Sequence, residues 1–116
     1  MDAVILATGS EVHLAVGAQK LLQERKISVR VVSVISQELF RAQSPDYRDS
    51  VLPPAVTRRL AVEAGRSSSW FEFTGSQGAV MGIDRFGASA PGEVVMEKYG
   101  FTASHIAERV QQLLDQ

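Results

Sequence analysis

Thr8-Gly9-Ser10-Glu11 is the stretch where residue types and spacing come nearest to making a ligand site. A chain that turns through glycine from a strand into a helix aims free backbone N–H groups and the positive end of the helix dipole at one point, where an anion can be held. Gly9, Ser10 and Glu11 are therefore candidate anion-binding residues. The plainer alternative makes Ser10 an N-cap and Glu11 a carboxylate that complements the dipole. A dinucleotide fingerprint would need two further glycines at set spacing, but Val12 and His13 stand in that region, and no Walker-type phosphate loop occurs.

Other groups could act as acids, bases or clamps. His13 and His105 are the only histidines, and each falls near the start of an expected helix without a visible partner. Either could serve as a general base, while a surface position needs no constellation to explain it. Two histidines with no cysteine make a poor metal site. Glu63 follows an apolar run, at a strand end of the kind that borders ligand crevices, or else is a hydrogen-bonded structural acid. Arg58-Arg59 and Asp84-Arg85 read either as phosphate clamps or as ordinary surface pairs. Trp70, Phe71 and Phe73 are either a recognition surface or core, and exposure would mean a missing partner.

These side chains need a scaffold, and 116 residues with 45% hydrophobic content suit one domain, residues 1–116, with one core. Twelve basic and 13 acidic residues are scattered and leave a net charge of -1, unlike the clustered cations of a nucleic-acid surface. The absence of cysteine excludes disulfides and thiolate chemistry and fits a cytoplasmic setting. No apolar run reaches the roughly 18 residues of a membrane span, and no basic leader precedes an apolar stretch. The expectation is a soluble, cytoplasmic chain without nucleic-acid or membrane partners.

Ala3 to Ala7 is a continuous apolar run, suited to a strand buried on both faces. In the helix that follows, Leu14, Ala18, Leu21 and Leu22 form the expected core stripe, with Gln19, Lys20 and Gln23 toward water. Ile27 to Ile35 is a valine-rich second strand, paired in parallel through a right-handed crossover. Short helical turns broken at Ser44-Pro45 run to Pro53-Pro54, and Leu60 to Val62 makes a third strand. Trp70 to Phe73 anchors a loop or short helix, and Ala79 to Ile83 is a fourth apolar run among glycines. Pro91 opens a helix that stops at Gly100, and a last helix is capped by Thr102 and buries Ile106, Val110, Leu113 and Leu114. The pattern predicts a three-layer α/β/α sandwich.

Several segments, taken in order, are similar to the C-terminal domain of transketolases. They are Ile5 to Val12, Val29 to Ser33, Glu38-Leu39-Phe40 with Gln43, Tyr47-Arg48-Asp49-Ser50-Val51-Leu52-Pro53, Val62 to Gly65, Trp70, Gly82 to Pro91 and Tyr99 to Thr102. The first segment is shared with deoxyxylulose-phosphate synthases and the β components of 2-oxo-acid dehydrogenases. The Tyr-Arg-x-Ser-Val-Leu-Pro and Phe-Gly-x-Ser-Ala-Pro stretches single out transketolase. Two departures fall at turns: Ile35 replaces a proline or small residue, and Lys26 replaces a glycine that ends the first helix.

The resemblance implies a mostly parallel, five-stranded mixed sheet with one antiparallel strand. The fifth strand is expected between Gly75 and Gly87 or at an edge. It implies an enzyme that transfers a two-carbon ketol unit between sugar phosphates in the pentose phosphate pathway. That reaction uses thiamine diphosphate and a divalent metal, Mg or Ca, held by the other two domains of a homodimer. No catalytic, cofactor-binding or metal-binding residue of those domains has a counterpart here, so this chain alone is expected to be inactive. The rival expectation is an independent module that binds a small anion or phosphate at the Gly9-Ser10 helix start.

Overall fold

All five residues of β1 (Ala3–Ala7) are buried, and the remaining elements are arranged to hide both faces of that strand. The computed structural model describes residues 1–9, 11–34, 36–63, 70–82 and 102–116. β1 leads into α1 (Glu11–Glu24), β2 (Val29–Ser33), two short helices α2 (Gln37–Arg41) and α3 (Pro45–Val51), and β3 (Arg59–Glu63). The single-turn α4 (Phe71–Thr74), β4 (Ala79–Gly82) and α5 (Ala103–Leu114) follow.

The sheet order is β2-β1-β3-β4 and every pairing is parallel, with Ile5 opposite Val31 on one side and Leu60 on the other. Parallel neighbours require crossovers, and the intervening helices supply them on the two faces of the sheet. Alternation along the strands sorts the core into two layers. Ala3, Ile5, Ala7, Leu60 and Val62 meet α1 and α5, whereas Val4, Leu6, Val32 and Ala61 meet Leu52, Trp70 and Phe73 on the α2 to α4 side. The three-layer α/β/α expectation holds. Four strands are present among the described residues, all parallel, so the expected fifth, antiparallel strand is not among them. Residues 83–87 of the region proposed for it, and the expected Pro91 to Gly100 helix, lie outside the described residues.

Local chemistry explains the boundaries. Ser36, Ser44 and Thr102 cap α2, α3 and α5, each hydroxyl accepting from the backbone N–H three residues on, and Pro45 fills the first turn of α3. α1 ends in a Schellman turn: the Ile27 N–H donates to Leu22 O and the Lys26 N–H to Gln23 O, both at 2.9 Å. Lys26 sits there at φ 63°, the left-handed position that a glycine occupies without strain. The substitution noted in the sequence therefore leaves the turn geometry intact and puts its cost on one residue.

The inward stripe of α1 differs from the expected one. Glu11, Ala15, Ala18 and Leu22 are buried, while Leu14 and Leu21 flank the core as partly buried neighbours. Small residues on the innermost line let α1 lie close to the sheet, with the leucines closing its sides. Gln19 is drawn in as well, its Nε2 donating to Val29 O at 2.8 Å. α5 also comes close to α1, since a Cβ built on Gly17 would lie 3.0 Å from that of Ala103.

Two stability measurements follow. Ile106 is wholly buried on the inner face of α5, so Ile106→Ala should cost about 2–5 kcal/mol in urea unfolding. Lys26→Gly should raise stability by up to about 1 kcal/mol in the same assay, since it relieves the left-handed strain but loosens the unfolded chain.

Candidate functional site

Strand order alone marks one crevice. The chain leaves β1 toward β2 on one side and β3 toward β4 on the other, so the carboxyl ends of β1 and β3 flank a topological switch point. Thr8 and Gly9 follow β1 there, and Glu63 closes β3 opposite Gly82 of β4. The fold thus brings the Gly9 turn and the Glu63 backbone to one end of the sheet; Ser10 lies outside the described residues.

At this point the helix start is already furnished. Gly9 holds φ 57°, and the N–H groups of Glu11 and Val12 donate to Thr8 O and Gly9 O at 3.2 and 3.3 Å. Glu11 is only 6% exposed despite its charge, and its Oε2 would stand 3.7 Å from a Cβ placed on Gly9. A carboxylate of the chain itself therefore lies at the positive end of α1, as the dipole favours. His13 and His105 are both exposed, one in the first turn of α1 and the other in that of α5.

The arginine pair divides. Arg58 reaches Gln77 at the surface, with Nη1 donating to Oε1 at 2.8 Å. Arg59 turns inward instead. Its Nε donates to Val56 O at 2.9 Å, Nη1 to Phe73 O at 2.9 Å, and Nη2 to Leu52 O and Pro53 O at 3.3 and 3.0 Å. Burial pushes this guanidinium below its ordinary pKa, with the charge of Asp49 acting in the opposite direction. Arg59 is thus not a surface pair among the described residues: it ties the turn after α3 to the end of α4. Asp84 and Arg85 lie outside the described residues.

The aromatic cluster splits too. Trp70 is 1% exposed and Phe73 is buried beside it, their ring centroids 6.0 Å apart, whereas Phe71 is 61% exposed. One helical turn cannot point all three aromatic residues of this four-residue stretch the same way, so position 71 faces out while 70 and 73 face in. Leu39 and Tyr47 are also exposed on this side of the sheet, on α2 and α3.

Between α2, α3 and α4 the structure assembles a group that spacing in the sequence does not reveal. Arg41, Arg48 and Arg59 line one open pocket with Asp49 and Glu72. Arg41 pairs with Glu72 and stacks 5.6 Å from the Phe73 ring centroid. The hydrogen bond that Arg41 Nε donates to Glu72 Oε1 holds the guanidinium above its ordinary pKa. The contributing residues are 31 positions apart at the extremes, and no local periodicity signals their meeting.

The model for the Transketolase-like TK C-terminal domain matches residues 1–102 of the chain. The chain is 53% identical to the transketolase of Geobacillus stearothermophilus over 113 residues, which is 97% of this chain and 17% of that protein. It is 50% identical to the transketolase of Aquifex aeolicus over 109 residues, 94% of this chain and 16% of that protein. Among solved structures, transketolase from Leishmania mexicana superposes with a TM-score of 0.89 at 42% identity, covering 99% of this chain and 16% of that one. The chain therefore spans about a sixth of the length of these relatives.

The carbonyl bonds of Arg59 give the site a measurable energetic signature. Arg59→Met should destabilise the chain by about 2–4 kcal/mol in urea unfolding, because part-buried carbonyls lose a charged donor. Arg59→Lys should restore only a minor part of this, since an ammonium cannot reach several fixed acceptors in one plane.

Proposed function

The chain belongs to the transketolase-like C-terminal domain family, and from that premise we propose that it serves as a structural and interaction domain of a transketolase. The whole enzyme, in this reading, transfers a two-carbon ketol unit between sugar phosphates in the pentose phosphate pathway, as a cytoplasmic homodimer. The observation that carries the proposal is the match over nearly the whole chain to about a sixth of much longer proteins, together with the C-terminal-domain family model.

Among the described residues no three or more His, Cys, Asp or Glu side chains gather into a metal-binding set. The described residues do not fit a divalent metal held with a diphosphate, so no step of ketol transfer is assigned to them. Thiamine diphosphate and Mg or Ca would be held by the remaining domains. Gly9 and Glu11 then have a structural part in starting α1. Exposed Leu39, Tyr47 and Phe71 are apolar groups that neighbouring domains could cover. No described helix is long and apolar enough to cross a membrane.

The test is an assay of ketol transfer between xylulose 5-phosphate and ribose 5-phosphate with added thiamine diphosphate and Mg. The parent enzyme should turn over, and the purified 116-residue chain should not. Turnover by the isolated chain would overthrow the assignment.

A further inference from the structure

We propose that the pocket between α2, α3 and α4 is a binding site for a small soluble oxyanion, a phosphate or carboxylate, gripped by Arg48. The pocket has a volume of about 320 Å3, at the lower end of the range usual for small-molecule sites. Phe40 and Phe73 contribute apolar wall, and their rings meet edge to face at 5.6 Å, which fixes that wall in place.

The charges in this pocket are unequally satisfied. Three guanidiniums face two carboxylates. Arg41 is neutralised by Glu72, and the charge of Asp49 acts on Arg59. Arg59 is also immobilised by its four carbonyl acceptors. Among the described residues Arg48 is left without an ion-pair partner, and its buried Nε without an acceptor. A buried donor on a cation is among the costliest groups to leave unmade. The group that would satisfy it is a planar or tetrahedral oxyanion, whose paired oxygens match the guanidinium fork. One positive charge in excess suits a monoanion best, and the fixed guanidinium of Arg59 provides a second cation that need not be reorganised to receive it. The pocket lies beside the start of β3, at the opposite end of the sheet from the Gly9 turn.

The experiment follows the arginine Nε–H signals of the nitrogen-15-labelled 116-residue chain as sodium phosphate or sodium acetate replaces sodium chloride at constant ionic strength. The Arg48 signal should move saturably with phosphate, acetate or both, which separates the two anion sources. The Arg30 signal should stay still, because that guanidinium donates to Ser50 O and Val51 O at 2.8 and 3.1 Å. Arg48→Met should abolish the saturable response read at Arg41 and Arg59. Arg48→Lys, which keeps the charge and loses the fork, should weaken binding about tenfold. A response linear in anion, one equally produced by chloride, or one unchanged at Arg59 in Arg48→Met would overturn the site. Should a variant fail to fold, as read by circular dichroism, the saturability of the wild-type Arg48 signal decides by itself.

Discussion

The whole arrangement depends on hiding β1 from water on both of its faces. An apolar strand in the interior of a parallel sheet has no wet side, so helices must cover it above and below. Ile5 and its companions require α1 and α5, while Val4 and Leu6 require the α2 to α4 side. From this constraint come the crossovers, the parallel pairing and the division of the core into two layers. The switch point between β1 and β3 comes from it as well, since an interior first strand obliges the chain to cross to the other side.

What was legible in the sequence was what local chemistry dictates. Valine-rich β2, the cap at Thr102, the break at Ser44-Pro45 and the apolar stripe of α5 are all signals that act within a few residues, and each matches an observed element. The Lys26 departure was legible as a turn problem, and the turn carries its strain at that residue. Illegible were features that depend on how closely elements approach. Ala15 displaced Leu14 from the innermost line of α1 because helix-to-sheet distance, not hydrophobicity, selects small residues there. Gln19 was read as a water-facing residue, but an available strand carbonyl drew it in.

The charged candidates separate along the same line. Glu11 was readable as the companion of the α1 dipole, and it lies buried beside Gly9. Arg59 was not readable as a tie between backbone carbonyls, because its acceptors come from two separate stretches of chain, the turn after α3 and the end of α4, that only the tertiary fold brings together. The pocket lined by Arg41, Arg48 and Arg59 is hidden from sequence for the same reason. Its residues belong to different elements and converge only because the α2 to α4 side must wrap over Val4 and Leu6.

The position of β1 also sets a schedule on the ribosome. It is the first of the described strands and an interior strand of their sheet, yet its β3 neighbour emerges more than fifty positions later and α5 later still. Such distant pairings delay the closing of the core and lengthen the time that apolar chain stays uncovered. Ala3, Ile5 and Ala7 stay without the α5 part of their cover until that helix has left the exit tunnel.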